Sequence, residues 1–329
     1  AVYECVMSEY AISSADVEAA HHRVVKFVHR TPVLTNTFFN QKSRKTVFFK
    51  CENFQKVGAF KFRGACNAVF SLPKRVKIVV CSSSGNHAAA VALACRIRGL
   101  EAHIVMPSNA PKAKIAAVRG YGGIPHLCPP VVGEREKAVE KLLKEYVNSV
   151  LVDSCNDPHV MAGQGTATLE LLDEVGQLDA IICPIGGGGL MSGTTMAVQS
   201  LRRKPLIICG EPKGADDAFL SKQAGRHILQ TNPQTIAGGL LVSVGSNGWP
   251  ILRDLVHSVI TVSEEQIRSA MRHVYERMKI VIESSSAVAV AALLSDEFQQ
   301  IPNIHRVGVI ISGGNVDVGK LSDIMTSRL

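Results

Sequence analysis

Four consecutive glycines at residues 186–189 are the feature of this sequence that most clearly indicates a binding site. They follow an apolar segment typical of a buried strand and precede a segment with helical character. Because glycine has no side chain, several backbone N–H groups can approach one anion there, and the positive end of the following helix adds to the attraction. A glycine run elsewhere is usually a flexible turn, but a strand-to-helix junction favours a phosphate site. The run matches neither the Walker loop nor the GxGxxG dinucleotide pattern.

Lys61 is a candidate nucleophile at the predicted start of a helix, where Ala65 and Ala68 share its face. A lysine above small apolar side chains is partly desolvated. Burial and the positive helix end both favour its neutral, nucleophilic form. An arbitrary lysine is more often a solvated surface residue, so Lys61 gains meaning only from the motifs around it.

Residues 82–87 read Ser-Ser-Ser-Gly-Asn-His and again join a predicted strand to a predicted helix. Hydroxyl and backbone N–H groups at the beginning of a helix can bind a carboxylate. Ordinary serine capping of a helix has the same composition, so this segment alone is weak evidence. Beside a phosphate site and a reactive lysine, it predicts where a substrate carboxylate would bind.

The elements that must position these residues alternate between strand-like and helical segments. Short apolar runs that are typical of buried strands lie at 47–50, 77–81, 102–106, 180–185, 206–210 and 307–311. Helical segments separate most of them. This alternation predicts an α/β protein with parallel sheets and helices on both faces, and its two stretches predict two lobes.

Composition narrows the classes of protein that fit. A hydrophobic content of 46% with only 19% charged residues excludes a disordered chain. The formal net charge of +8 favours anionic ligands or simply a basic surface, but the basic residues are dispersed, which argues against a nucleic-acid partner. Nine dispersed cysteines without a C-x-x-C pair, no signal peptide and no transmembrane-length segment predict a cytoplasmic protein without a membrane partner.

Taken together, the motifs resemble the fold-type II pyridoxal-phosphate (PLP) enzymes, and among them the serine racemase and threonine/serine dehydratase family. The similar segments span nearly the whole chain: TPVL at 31–34, ENFQKVGAFKFRGA at 52–65, SSGNH at 83–87, AGQGT at 162–166, GGGG at 186–189, EPKGADD at 211–217, ERMKIVIE at 276–283 and SGGNVD at 312–317. The resemblance implies two open twisted, mainly parallel sheets flanked by helices, as in the tryptophan synthase β-like fold. It also implies a large PLP-binding domain (residues 1–78 and 158–329) and a small domain (residues 79–157) that closes over the substrate.

The resemblance also implies residue roles. Lys61 is similar to the Schiff-base lysine of the family, and Ser84 to a second acid–base group on the opposite face of the cofactor. The implied cofactor-binding residues are Phe60 against the ring, Asn86 at the ring hydroxyl, Ser312 at the pyridine nitrogen, and Gly186, Gly187, Gly188 and Gly189 at the phosphate. The implied substrate-binding residues are Ser83, Ser84, Asn86, His87 and Arg135. A serine at the pyridine nitrogen, unlike an aspartate, does not keep it protonated, which suits racemisation or β-elimination over transamination.

The EPKGADD segment resembles the metal site of the serine racemase branch, with ligands from Glu211, the Ala215 carbonyl and Asp217. Oxygen ligands of this kind suit Mg²⁺, Ca²⁺ or Mn²⁺. Without the resemblance, an acidic loop in solvent would be the preferred interpretation. Glu283 is expected to hydrogen-bond near the cofactor, or else to be a structural carboxylate. The family further implies a homodimer and allows ATP as an activator.

The implied activity is racemisation of serine or a related hydroxy-amino acid, β-elimination to a keto acid and ammonia, or both. Aspartate racemisation and dehydration of threonine or 3-hydroxyaspartate stay open, because residues 153–157 (DSCND) and the Gly238–Gly239 pair depart from the family pattern. A PLP-dependent β-replacement synthase and a non-catalytic PLP-binding protein are the alternatives from other classes.

Overall fold

The computed structural model describes residues 10–131 and 133–326. Ten strands are found in these ranges: β1 Val33–Leu34, β2 Thr46–Cys51, β3 Ile78–Ser82, β4 Glu101–Pro107, β5 Ile124–Cys128, β6 Ser149–Leu151, β7 Ala180–Pro184, β8 Leu206–Pro212, β9 Ser258–Val262 and β10 Arg306–Ile311. All six predicted strands are among them, with ends that differ by at most two residues from the predicted ones.

Fourteen α-helices are found in the same part of the chain: α1 Ser14–Val24, α2 Thr37–Ser43, α3 Lys61–Ser71, α4 Asn86–Arg98, α5 Lys112–Gly120, α6 Glu134–Glu145, α7 Pro158–Val175, α8 Gly189–Ala197, α9 Asp217–Ala224, α10 Trp249–Leu255, α11 Glu264–His273, α12 Ser284–Leu293, α13 Asp296–Gln299 and α14 Leu321–Thr326. A π-helical turn, Val274–Met278, continues α11. Short 3₁₀ turns at Glu52–Phe54 and Lys56–Gly58 lead into α3.

The strands form two sheets. The larger sheet has the order β1-β2-β10-β7-β8-β9, and it is parallel except for β1, which pairs antiparallel with β2. The smaller sheet, β5-β4-β3-β6, is entirely parallel. The predicted fold class is therefore confirmed. The predicted domain limits stay a prediction, although β3 begins at Ile78 and α7 begins at Pro158, next to those limits.

Close contact between helix backbones fixes how α3 and α8 lie against α7. A Cβ atom at Gly163 on α7 would lie 2.7 Å from the carbonyl oxygen of Arg63 on α3. A Cβ atom at Gly165, two residues further along α7, would lie 2.4 Å from the carbonyl oxygen of Gly193 on α8. Since no side chain fits at either crossing, the AGQGT segment holds together the two helices that begin at Lys61 and at the glycine run.

A buried ionic network lies beneath the start of α3. Arg63, which is fully buried, donates to Glu52 with Nε at 2.7 Å and to Glu170 with Nη1 at 2.8 Å. Lys50 Nζ donates to Glu170 at 2.7 Å, and Thr31 Oγ1 donates to Glu52 at 2.6 Å. Burial alone would raise the pKa of Glu170, but Arg63 and Lys50 hold this pKa below its usual value. Two cations therefore balance two anions away from water.

The eight described cysteines are free thiols. Seven of them are buried in the core, as predicted for reduced, core-filling cysteine, and Cys155 is half-buried. Cys5 lies outside the described residues. Among the helices of residues 10–131 and 133–326, none is both long and apolar enough to span a bilayer.

We expect R63M to destabilise the protein strongly, because it leaves two buried carboxylates with fewer partners than they have in the native chain. The loss in free energy of unfolding should be about 3–5 kcal/mol, measured by urea denaturation. The matched control is R30M, which removes the exposed ion pair of Arg30 with Asp173 and should cost below about 1 kcal/mol. Equal losses in the two variants would contradict a structural role for the network.

Candidate active site

The turn before Lys61 is tied to the end of β10. Ala59 forms an isolated bridge with Gly313, and the backbone N–H of Phe60 donates to the carbonyl oxygen of Ser312 at 3.0 Å. Lys61 follows directly as the first residue of α3. The structure therefore brings together the predicted Schiff-base lysine, the predicted ring-packing residue Phe60 and the predicted pyridine partner Ser312.

The same turn contains a strained residue. Val57 has φ of 57°, a conformation that is costly for a β-branched side chain, and Gly58 follows with φ of 73°. Asn315 Nδ2 donates to the Val57 carbonyl at 2.7 Å. A Cβ atom at Gly58 would lie 2.5 Å from Asn315 Oδ1, and together with the positive φ this favours glycine there. Asn315, which lies in the SGGNVD segment, was not singled out from the sequence.

Lys61 has an environment that favours its neutral form. Its Nζ donates to the carbonyl oxygen of Ser154 at 2.8 Å. Burial lowers the pKa of Lys61, and nearby acidic groups, among them Cys155 and Asp153, oppose this shift only in part. The direction agrees with the expectation from the small residues on its helix face. The contact with Ser154 was not predicted.

The glycine tetrad, Gly186 to Gly189, joins β7 to α8 as expected. Gly188 is the N-terminal cap of α8 and has φ of 84°. A Cβ atom at Gly187 would lie 2.4 Å from Cys155 Sγ, and one at Gly186 would lie 2.9 Å from the Leu240 Cα. The tetrad is thus a loop of bare backbone N–H groups at a helix N-terminus, which fits a phosphate group.

The segment of residues 153–157, here called the 153–157 loop, connects the lysine to the tetrad. Ser154 contacts Lys61 Nζ, and the next residue, Cys155, packs against Gly187 and Gly189. Asp153 Oδ1 accepts from the backbone N–H groups of Cys155 at 2.9 Å and Asn156 at 2.7 Å, which holds the loop in this shape. From the sequence, this loop was only a departure from the family pattern.

Asn86 is held in one orientation by two side chains. Its Nδ2 donates to Glu283 Oε1 at 2.8 Å, and its Oδ1 accepts from Asn315 Nδ2 at 2.9 Å. The second Nδ2 hydrogen is left for a further acceptor, which fits the predicted contact with a ring oxygen. Burial raises the pKa of Glu283 to about 7, while Asn86, Lys114 and Lys61 act to lower it. Glu283 therefore lies near the site, as expected.

The other residues of the 82–87 segment surround the start of α4. Ser83 Oγ accepts from the backbone N–H of Gly85 at 3.2 Å, and Ser84 is half-buried one residue before that glycine. His87 is buried with Nε2 at 3.2 Å from the Val152 carbonyl, and its Nδ1 has no partner among the described residues. Burial, with a contribution from Lys61, lowers the pKa of His87 to about 4, so this imidazole is neutral.

Ser312 is buried at the end of β10. Its Oγ lies 3.0 Å from Ser286 Oγ, which also accepts from the backbone N–H of Gly313 at 2.7 Å. Two hydroxyls are therefore paired at the position predicted to face a pyridine nitrogen. Ser286 Oγ can donate to the Gly313 carbonyl at 2.9 Å or to Ser312 Oγ. In the second arrangement the Ser312 hydrogen is left for a ring nitrogen, to which it would donate without giving up a full proton.

Arg135 lies apart from this cluster. It is exposed near the start of α6, a helix that packs against β3, β4, β5 and β6. No hydrogen bond or ion pair joins it to the other predicted site residues in the part of the chain that is described. Its contact with the substrate stays a prediction.

The predicted metal ligands lie on one turn that joins β8 to α9. Both oxygens of Glu211 accept backbone N–H groups from the first turn of α9, and Asp217 Oδ2 accepts from the Val244 N–H at 3.1 Å. Burial raises the pKa of Glu211 to about 9 and that of Asp217 to about 6. The described residues contain no group of three or more His, Cys, Asp or Glu side chains that could hold a metal ion. Any cation here would need the Ala215 carbonyl or waters as further ligands.

Comparisons with known proteins agree with this geometry. The family model described as "Pyridoxal-phosphate dependent enzyme" matches residues 24–313. A serine racemase of Arabidopsis thaliana is 46% identical over 98% of this chain and 99% of that protein. The solved structure of maize serine racemase superposes with a TM-score of 0.93 at 44% identity, covering 96% of this chain and 97% of that one.

A solved PLP-dependent aspartate racemase is also similar, with a TM-score of 0.90 and 35% identity over 95% of this chain and 98% of that one. The family expected from the motifs is therefore confirmed. This chain belongs to the family of pyridoxal-phosphate dependent enzymes.

Proposed function

We propose that this enzyme is a serine racemase-like protein that inverts the α-carbon of serine and also eliminates water from it, after which hydrolysis of the dehydrated product gives pyruvate and ammonia. One observation carries the proposal: the 153–157 loop connects a lysine with a lowered pKa to a side-chain-free loop at a helix N-terminus. The 41–46% identity to serine racemases over nearly the full chain supports serine as the substrate.

PLP, when bound, supplies an electron sink that stabilises negative charge at the α-carbon of the substrate. Four glycine N–H groups of residues 186–189 would bind its phosphate, Asn86 would donate to its ring oxygen, and Ser312 would contact its ring nitrogen. These residues would hold and orient the group beside Lys61. Because Ser312 is a hydroxyl and not a carboxylate, it stabilises the ring nitrogen without charging it.

The protein's own proton-transfer groups are Lys61 and Ser84. The lowered pKa of Lys61 lets its Nζ accept a proton from one face of the substrate α-carbon. The Ser84 hydroxyl, half-buried two residues before α4, would return a proton to the other face, which inverts the carbon. Ser83, Ser84, Asn86 and His87 would bind the substrate carboxylate, with Arg135 as a more distant contact. Elimination instead requires that the β-hydroxyl leaves, which the same lysine can assist.

We propose the Glu211–Asp217 turn as the site of a divalent cation such as Mg²⁺, with Ca²⁺ and Mn²⁺ as alternatives. Two buried carboxylates with raised pKa values are costly without a positive charge beside them, and a cation would remove that cost. Glu211, Asp217 and the Ala215 carbonyl would hold it, and its contribution would be structural. We also infer a homodimer with ATP as an activator, which light scattering and turnover with and without ATP would test.

The direct test of the function is incubation with L-serine, followed by measurement of D-serine and pyruvate. We expect both products from the wild type, and loss of both by at least about 1000-fold in K61A, because the lysine serves every step. Cysteine formed with sulfide, without D-serine or pyruvate, would instead establish a β-replacement synthase. Unchanged turnover in K61A would refute the role of this lysine.

We expect S84A to separate the two reactions. Loss of the hydroxyl should reduce racemisation by about 100-fold, because general acid–base groups contribute on this scale, and reduce pyruvate formation much less. The two rates are measured on the same sample by chiral chromatography and a coupled pyruvate assay. S83A, one residue away, is the matched control and should keep the ratio of the two products. Equal losses of both products in S84A would contradict the assignment.

We expect Glu283 to act through Asn86. In E283Q the amide oxygen still accepts from Asn86, so activity should fall by less than about threefold, whereas E283A should lose about tenfold or more, as expected for a lost charge-assisted bond. The wild type should also gain activity as pH rises through about 7, where Glu283 ionises and its bond to Asn86 strengthens. Both variants should lack that step in the pH profile. Identical profiles in all three proteins would contradict this role.

We expect Mg²⁺ affinity to rise as pH rises from 6 to 9. Asp217 and Glu211 have pKa values of about 6 and about 9 without a cation, so below these values a proton competes with the metal. Calorimetry in two buffers of different ionisation enthalpy should show proton release at pH 7 and less at higher pH. E211Q should abolish binding, while D216N, a change of the adjacent acid that is not among the ligands, should keep it. A pH-independent affinity would contradict the site.

A further inference from the structure

We propose that Asp153 is a specificity-determining residue that selects against substrates with a carboxylate side chain. The inference deepens the proposed function and rests on it, because it concerns which amino acid the same site accepts. It places the enzyme among those that act on neutral amino acids such as serine, rather than on aspartate or 3-hydroxyaspartate.

The position of Asp153 follows from the contacts of its neighbours on both sides. The next residue, Ser154, accepts the hydrogen bond from Lys61 Nζ at 2.8 Å. The preceding residue, Val152, accepts from the buried His87 at 3.2 Å. Asp153 therefore lies between the residues that contact Lys61 and His87, and its charge acts on both of these side chains.

The carboxylate cannot easily turn away from this place. Its Oδ1 accepts two backbone N–H groups, from Cys155 at 2.9 Å and from Asn156 at 2.7 Å. Cys155 is in turn packed against Gly187 and Gly189, and a Cβ atom at Gly187 would lie 2.4 Å from its Sγ. The negative charge of Asp153 is thus fixed by the same loop that connects Lys61 to the glycine tetrad.

Lys61 interacts with the charge of Asp153, but burial favours the neutral form of this amine, so it offsets little of that charge. His87 is neutral, since burial lowers its pKa to about 4, and burial raises the pKa of the Cys155 thiol. Glu283 adds a second acidic group near Lys61, and Lys114 faces Glu283. A side-chain carboxylate on the substrate would meet this acidic surface, while a hydroxyl group would not suffer the same repulsion.

The fold itself does not set this preference. The aspartate racemase structure and the maize serine racemase structure both superpose on this chain with TM-scores of at least 0.90. Proteins that are named for different substrates therefore share the backbone. Discrimination must come from side chains, and a fixed carboxylate beside the lysine is a direct means to reject an anionic side chain.

The test compares two ligands that differ in charge but hardly in shape, L-aspartate and L-asparagine. Their dissociation constants for the PLP-loaded enzyme are measured by titration of the cofactor absorbance, for the wild type and for D153N. The amide oxygen of D153N can still accept the two backbone N–H groups, so the loop should keep its shape. We expect D153N to improve the binding of aspartate relative to asparagine by about tenfold, as expected for removal of a like charge at close range.

D157N is the matched control. Asp157 caps α7 through bonds to the N–H groups of His159 and Val160, and asparagine is an equally good cap. The same substitution four residues away should change the aspartate-to-asparagine ratio by less than about twofold. If D153N weakens the binding of aspartate and asparagine equally, the role of Asp153 is merely structural and the proposal fails. A change of the aspartate-to-asparagine ratio by less than twofold in D153N would overturn the proposal. Failure of aspartate to bind either protein would overturn it as well.

Turnover of L-serine by the wild type is measured in the same series. If serine is not turned over but the ligand ratio responds to D153N, the proposed function fails and the charge selection stands. If serine is turned over and the ratio does not respond, the function stands and the role of Asp153 fails.

Discussion

The buried ion cluster of Arg63, Lys50, Glu52 and Glu170 is the interaction on which the rest of the site depends. Arg63 lies two residues after Lys61, so the cluster holds the first turn of α3 at a fixed depth in the protein. Glu52 follows β2 and Glu170 lies on α7, so one guanidinium joins three separate parts of the chain. Such a cluster contributes little to the net free energy of folding, because the desolvation of its charges opposes their attraction. Removal of any one member is nevertheless strongly destabilising, because it leaves a buried charge without its partner. The main effect of the cluster is to fix the position of Lys61.

Close backbone contacts at glycine residues position the predicted phosphate loop, as the ion cluster positions Lys61. Gly163 and Gly165 bring α7 against α3 and α8, and Gly187 admits Cys155 beside the phosphate loop. Each contact is at a distance that no Cβ atom tolerates. The lysine and the glycine tetrad are more than 120 residues apart in sequence, yet the 153–157 loop contacts both. The preorganisation of the site therefore comes from packing without side chains as much as from polar contacts.

Burial also favours the protonation states that the proposed chemistry needs. It lowers the pKa of Lys61 and of His87, and it raises the pKa of Glu283 to about 7. The same physical cause thus favours a neutral amine, a neutral imidazole and a carboxyl group that titrates near neutral pH. A site with these states can move protons at the α-carbon of an amino acid without large local charges. The charge of Asp153, held in place by two backbone N–H groups, is the exception, and it is the basis of the role proposed for this residue in substrate selection.

The sequence by itself determined the fold class and the family, and it predicted the reactive lysine and the phosphate loop. These features depend on short segments, such as strand–glycine–helix junctions, in which the important residues are close together in the sequence. Only the tertiary structure decided that Ser154 contacts Lys61, that Asn315 and Glu283 fix the orientation of Asn86, and that Arg135 lies apart on α6. These relations join residues that are about 90 to 230 positions apart, and they arise from how helices and loops pack. A local sequence pattern does not predict such long-range contacts, because the same segment could pack against many others and only the folded core selects one.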